Sequence, residues 1–428
     1  MPATSFGALR HRNFRLFIFG QLVSLCGTWM QTVALGWLAL ELTNSALRVG
    51  LVTTLGSLPV LLFTLYGGVV ADRSNRRRAL ILLQTLFLLE ALALGLLTVL
   101  HGITIGWIYA LSFFGGLVSA FEIPMRQSYL GELVGRDDLM NAIALNSSAF
   151  NVSRVVGPAL AGTILAVAGA AVAFFLNAAS FLAVLIGLLL IRPGETPRWS
   201  SAAGEVPERR PGIRDGVRHI FGSEWPRALV ILIAFLTVFG SSFIAIFPVY
   251  SRDVLHTGAG GYGALTSLLG VGAAAGALAV AAVGHRFRRE ATAVWAAVAL
   301  GAALALLGLV HSLGLALPLV MLAGLSMALS AIMSNTLLQT GAPDRLRGQV
   351  VGFYSFIVVG MAPFGSLQMG WISEHLGTSV AILIGGAVCL TVALVTAWRM
   401  LRKPSTVNSE PSTVPALADE SHLDGGSR

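Results

Sequence analysis

Charge is scarce in this chain. Asp, Glu, Lys and Arg together make up 11% of its 428 residues, against 55% hydrophobic residues. Soluble domains carry about 25% charged residues, so a water-soluble fold is excluded and a polytopic membrane protein remains. Lysine is almost missing: the single one is Lys403, and Pro404 follows it. That excludes the phosphate-cradling G-x-x-x-x-G-K-[ST] loop, so the chain does not hydrolyse ATP by that route. Any uphill transport must draw on an ion gradient or on the membrane potential, worth about 2.3 kcal/mol per charge per 100 mV. Cysteine is equally rare. Cys26 and Cys389 lie inside apolar runs and read as small hydrophobes, not as a disulfide or a metal site. There is no nucleophile–base set and no metal-ligand spacing, so neither an enzyme, a metal nor a cofactor is expected. The net charge of +8 would suggest nucleic acid in a soluble protein. Basic–aromatic platforms for strands are lacking, so nucleic acid is excluded as a partner.

What is present is hydrophobic length. Apolar runs fall at about 14–41, 47–71, 79–100, 104–128, 140–168 and 171–191, then at about 228–251, 260–284, 291–311, 314–338, 348–373 and 378–400. Each is long enough to span a bilayer. An all-α membrane protein of twelve transmembrane helices is predicted, as two six-helix bundles: residues 1–191 and 228–402, joined by a cytoplasmic linker at 192–227. A disordered cytoplasmic tail is expected over 403–428, which is rich in Ser, Pro and Glu. The basic N-terminus with its apolar run is read as an uncleaved first helix. Residues 212–221 of the linker have the pattern of a short amphipathic helix, either lying on an anionic leaflet or simply solvated.

The arginines orient the runs. Arg10, Arg12, Arg15, the four from Arg73 to Arg78, Arg126, Arg136, the seven from Arg192 to Arg227, Arg286, Arg288, Arg289, Arg345, Arg347, Arg399, Arg402 and Arg428 all fall on alternate loops and the tails. Only Arg48 and Arg252 lie in the opposite loops, and Arg154 lies inside a run. The positive-inside rule then places both termini in the cytoplasm. The halves also echo one another. Gly157-Pro158-Ala159-Leu160-Ala161-Gly162 matches Gly365-Ser366-Leu367-Gln368-Met369-Gly370, as repeats related by an axis along the membrane normal would.

The densest basic stretch follows the second run: Gly68-x-x-x-Asp72-Arg73-x-x-Arg76-Arg77. An anion at a helix C-terminus is disfavoured by the helix dipole unless something positive or an N–H donor faces it. Asp72 is therefore expected to find a partner at another helix start, around 348–351, and to act in gating. In the fifth run small residues recur at Ala144, Ser153, Gly157, Pro158, Ala161 and Gly162, letting a neighbouring helix approach and slide. Arg154 is buried in the same run, and Glu122 and Arg126 stand one turn apart in the fourth. They form either a proton-coupling group or a fixed ion pair bracing the fourth and fifth helices. Glu90, in the third run, ranks below Glu122. Cavity candidates are Trp29, Gln31, Asn151, Phe239, Ser330 and Asn335. Phe235, Phe239 and Phe243 recur every four residues, as an aromatic wall or as helix packing.

Taken together, these residues resemble the major facilitator superfamily. The fifth-run spacing is similar to its antiporter motif G-x8-G-x3-G-P-x2-G-G, with Ala or Ser at three positions. The stretch Gly27-Thr28-Trp29-Met30-Gln31-Thr32-Val33-Ala34, the Asp72 loop, Pro124-Met125-Arg126-Gln127, Glu132-Leu133-Val134 through Asn141-Ala142, Arg154 with Gly157-Pro158, and Pro343-Asp344-Arg345-Leu346-Arg347-Gly348 resemble its enterobactin-exporter-like branch, the transmembrane secretion effectors. The resemblance implies gating by Gly68, Asp72, Arg73, Arg76, Arg77, Arg347 and Gly348. It implies a place in a bacterial inner membrane and export of a small amphipathic molecule, siderophore-like or drug-like, against protons, by alternating access. Two departures stand out: Asn75 replaces the usual Gly of the signature loop, tolerable because Asn adopts left-handed backbone, and Gln349 replaces a late arginine. The expected partners are the bilayer, a small-molecule substrate and protons, and the expected state is a monomer. Competing readings are a facilitator or importer of a metabolite or lysophospholipid, and a membrane-embedded sensor or scaffold.

Overall fold

Continuous apolar sequence leaves each segment no way to satisfy its backbone in lipid except as a helix, and the chain folds accordingly. The computed structural model describes residues 7–192, 213–286 and 288–402. Eleven of its helices are long and apolar enough to cross a membrane. The longest, Leu139–Leu190 with 52 residues, is broken at Gly169, where φ is 79° and ψ 176°. Its two parts run in opposite directions along the first helix. Leu22 and Trp29 meet Ser153 and Gly157, whereas Gly20 and Gly27 meet Val184 and Asn177. That makes twelve crossings: α1 (Arg12–Thr43), α2 (Ala46–Arg73), α3 (Arg76–Val99), α4 (Ile105–Val134), α5 (139–168), α6 (170–190), α7 (Glu224–Val254), α8 (Gly258–Val283), α9 (Arg289–Leu307), α10 (Leu313–Thr340), α11 (Leu346–Leu376) and α12 (Thr378–Arg402). Short polar links punctuate them. Asn44, in left-handed backbone at φ 48°, closes α1, and Ser45 and Thr104 accept from the first turns of α2 and α4. Helix ends extend past several apolar runs, notably α4, which continues to Val134.

The linker helix Ile213–Gly222 is formed, but it is docked on protein. Ile220 is buried with Leu229, Leu338 and Val350, and the rings of Phe221 and Phe353 meet edge to face at 6.1 Å. Ile220 is thus turned to α7, α10 and α11, while Phe221 beside it remains partly exposed. Residues 193–212 and the tail from 403 lie outside the described residues.

The arginines gather at one end of the molecule. Arg12 donates to Leu190 O at 3.2 Å, Arg77 to Leu188 O at 2.8 Å, and Arg10 to Asp138 at 3.0 Å. At the opposite, arginine-poor end the two halves meet along two glycine seams. On α5–α8, a Cβ at Gly162 would fall 2.9 Å from Gly263 Cα. On α11–α2, a Cβ at Gly370 would fall 2.9 Å from Ala46 O and 3.3 Å from Gly50 Cα. Trp37 stacks on Tyr262 at 6.5 Å, Arg252 donates to Asn44 Oδ1 at 2.7 Å, and Leu47 N donates to Glu374 at 3.3 Å. The matched hexapeptides acquire a physical meaning here. Their first glycines, Gly157 and Gly365, lie against α1 and α7 of their own halves, and their last, Gly162 and Gly370, against the other half.

Candidate functional site

The two-residue link Ser74–Asn75 forces α3 to start at once. Asn75 therefore caps it, accepting from Arg78 N at 3.1 Å with φ −69° and ψ 100°. The left-handed backbone that Asn tolerates is not used here, because an extended residue is what a helix N-cap requires. Arg76 pairs with Glu132 at the end of α4, and Arg77 donates to Leu188 O and to Leu189 O at 3.0 Å, satisfying the last carbonyls of α6. Asp72 stands with its side chain 79% exposed, 3.9 Å from Arg76. It does not meet the start of α11, contrary to expectation for this conformation. Positions 68 and 348 open on empty space, Arg73 is exposed, and Arg347 donates to Gln339 O at 3.3 Å within its own half. Among the described residues, the gating candidates of the two halves make no contact with one another.

A second tether joins the N-terminal turn to the α4–α5 link. Ala8 N donates to Asn141 Oδ1 at 2.9 Å, and Asp138 binds His11 at 2.8 Å and Arg10 at 2.7 Å. The His11 hydrogen bond, then Arg10, holds the Asp138 carboxyl below the usual carboxylate range. A depressed pKa contributes stability that is complete above the ordinary carboxylate value of about 3.9 and is lost as pH falls through the lowered one. The tether should therefore hold at neutral pH and fail only in strong acid. Asp138→Asn should speed hydrogen exchange of the Ala8 amide several-fold at neutral pH, and unchanged exchange would refute the tether.

Within the hydrocarbon span, Glu122 and Arg126 are buried together, with Arg126 Nε donating to Glu122 Oε1 at 2.8 Å. Arg126 Nη1 also reaches Asn146 Oδ1 at 3.3 Å, and Gln84 Nε2 reaches Glu122 Oε1 at 3.5 Å. Arg154 does not join them. Its guanidinium carbon lies 5.9 Å from the Trp29 ring centroid. Glu90, the lower-ranked acid of the third run, is buried at the start of an amide chain. Gln31 Nε2 donates to Glu90 Oε1 at 3.0 Å, Asn177 Nδ2 to Gln31 Oε1 at 2.7 Å, and Ser180 Oγ to Asn177 Oδ1 at 3.0 Å. The α3–α6 contact, with Phe87 stacked on Phe181 at 5.4 Å, turns Glu90 inward. Asn177, Gln84 and Asn146 were missed by sequence reasoning, although an amide inside an apolar run was the available signal.

The other cavity candidates divide. Trp29 and Asn151 are half-buried, and Phe239 stacks on Phe235 at 5.9 Å. Phe243 leaves that stripe and packs against Phe247 in the core, because a π-helical turn over Leu236–Ser241 and a 3-10 turn over Ser242–Ile246 break the four-residue period of α7. Ser330 is buried and donates to Ala293 O on α9 at 3.0 Å, so it serves helix packing and faces no cavity. Asn335 accepts from Gln339 at 3.0 Å. In α5, Ser153 donates to Leu22 O at 3.2 Å, a Cβ at Gly157 would collide with Trp29 Cβ at 2.6 Å, and the carbonyl of Pro158 faces Gly263. Among the described residues no cluster of His, Cys, Asp and Glu has the size to hold a metal ion.

Twelve crossings in two halves that meet along glycine seams at one end form a transporter architecture. The family model described as transmembrane secretion effector matches residues 3–425. The chain belongs to that family, within the major facilitator superfamily. This transporter is 27% identical over 381 residues to the multidrug efflux pump Tap of Mycolicibacterium fortuitum, covering 86% of this chain and 91% of Tap. It is 26% identical over 412 residues to the enterobactin exporter EntS of Escherichia coli O1:K1, covering 94% and 96%. Its fold is that of a bacterial homologue of the human lysosomal transporter Spinster in an inward-facing, unoccupied conformation, with TM-score 0.72, 16% identity, and 92% and 99% of the two chains covered. It is a multi-pass membrane transporter of a small molecule, not an enzyme.

Proposed function

We propose that this transporter exports small amphipathic molecules, siderophore-like or drug-like, by proton antiport with alternating access. One observation carries the reading: the halves are sealed by glycine contacts at the arginine-poor end, while at the arginine-rich end Asp72 is exposed and a Cβ at Gly68 or Gly348 would meet nothing within 4 Å. With the arginine-rich end cytoplasmic, this is a cytoplasm-facing state, ready to load from inside. The drug and siderophore exporters among its relatives support the direction. Proton coupling is assigned to the buried Glu122–Arg126 pair, with Glu90 as the second acid. Gating is assigned to the Asp72 loop with Arg347 and Gly348, and substrate contact to Trp29, Asn151 and Phe239.

The test is uptake into inverted vesicles, whose outer face is the cytoplasmic one. With an acidic lumen, a panel of catecholates and lipophilic dyes is offered. Concentrative uptake that collapses with a protonophore is expected. Equilibration without concentration would favour a facilitator and overturn the antiport reading. The gate has its own test. Asp72 is exposed here and gains a partner only when the arginine-rich ends close, so Asp72→Asn should leave expression intact, depress transport and raise labelling of cysteines in the cytoplasmic opening. Unchanged labelling together with unchanged transport leaves Asp72 a topological role only.

A further inference from the structure

The embedded acids of the described residues are engaged. Glu122 has Arg126 at 2.8 Å, Glu90 has Gln31 at 3.0 Å, and Glu41 has Trp37 Nε1 at 2.6 Å. Arg154, deep in α5, differs: among the described residues, no hydrogen bond or ion pair engages its guanidinium. It lies over a ring instead, 5.9 Å from the Trp29 centroid, and Trp29 meets Phe150 edge to face at 5.8 Å and 67°. A ring face attracts a cation but leaves its N–H donors without acceptors. A charge inside a span is expensive and as a rule faces a partner or a water-filled path.

The direction Arg154 faces follows from its helix. Ala161 and Leu165 lie on the same side of α5, two and three turns further on, and both are buried in the central core. That side is therefore the centre of the molecule, not the lipid. Arg154 stands where the core packing gives out, and it is only half-buried. It also marks the inner limit of the α5–α8 seam. Ser267 Oγ donates to Val155 O at 2.9 Å, and a Cβ at Gly270 would fall 2.9 Å from Arg154 O.

The geometry points to Arg154, Trp29 and Phe150 as a subsite for an aromatic anion: the guanidinium takes a carboxylate, sulfonate or phenolate oxygen, and the two rings take the aromatic body. This names the substrate class of the path proposed above and rests on that path running between the halves. A planar guanidinium presents paired N–H donors to such oxygens, which an ammonium cannot do. Because the subsite adjoins the seam, a bound anion neutralises the charge at the point where α5 and α8 must part.

The experiment uses the purified full chain in nanodiscs, with 1-naphthoate and its neutral analogue 1-naphthalenemethanol, read by isothermal titration calorimetry. Wild type should bind the anion about ten-fold more tightly than the alcohol, the scale of one charge-assisted hydrogen bond. Arg154→Gln should bring the two within about two-fold while leaving the alcohol unchanged, as expected when only the charged interaction is lost. Trp29→Leu should weaken both. Should Arg154→Gln fail to fold, Arg154→Lys, which keeps charge but not the fork, should weaken naphthoate several-fold and spare the alcohol. A wild type that binds neither probe or prefers neither overturns the subsite, as does an Arg154 variant with the wild-type ratio. Calorimetry reads neither direction nor proton coupling, so a failure of the export reading is seen separately in vesicles.

Discussion

Glu122→Gln is expected to abolish concentrative uptake driven by a pH gradient in inverted vesicles, while substrate binding and passive exchange persist. In the conformation described here the carboxylate receives Arg126 at 2.8 Å and Gln84 at 3.5 Å. Coupling requires that this environment differ in the other conformation, where the carboxylate is parted from Arg126. A proton taken from the acidic side in one state is then released on the other. Glutamine keeps the size and accepts the same hydrogen bonds but carries no exchangeable acid, so it separates coupling from bracing. Arg126→Leu separates them from the other side: a buried carboxylate left without its cation costs about 3–5 kcal/mol, seen as a lower melting temperature. If Glu122→Gln still concentrates substrate under a pH gradient alone, the pair is a fixed brace between α4 and its neighbours. Glu90, with its Gln31–Asn177 chain, is then the next acid to replace.

Gly263→Val should drive the transporter out of this conformation. A Cβ there would lie 2.6 Å from Gly162 Cα and 2.7 Å from Pro158 O. Both are backbone atoms, which cannot swing aside as a side-chain tip can. Overpacking of this kind costs about 1–3 kcal/mol in the sealed state. Charged against one conformation only, that shifts the balance about 5–150-fold toward opening at the arginine-poor end. Ala259 is buried beside this seam, so an Ala259→Cys reporter, with Cys26 and Cys389 replaced, should be protected in the parent and labelled by an impermeant maleimide after Gly263→Val. Transport should fall in parallel. Gly260→Ala, where a Cβ meets nothing within 4 Å, is the control and should change neither. Continued protection of the reporter thiol in a folded Gly263→Val protein would show that the seam does not carry the equilibrium.

Some of this was determined by sequence alone. Twelve apolar runs determine twelve crossings, because lipid accepts backbone only as helix. Scarce charge, one lysine and the missing phosphate loop turned the reading from enzymes and ATP-driven pumps to a membrane transporter, and the motif order named its family. The amide interiors, the seams and the partners were another matter. Hydropathy records that a residue is out of water but not what it is packed against, since lipid and a neighbouring helix are equally apolar. Thus Glu90 looked peripheral until α1 and α6 brought Gln31 and Asn177 to it. Arg154 looked like a partner for Glu122 until helix packing set it over Trp29. The regular Phe stripe of α7 was undone by a π-helical turn and the 3-10 turn after it, which a period of 3.6 cannot foresee. The two hexapeptides were visible as a repeat, yet only the tertiary structure decided that their last glycines are where the halves touch, because close approach of helices depends on which small residue faces which.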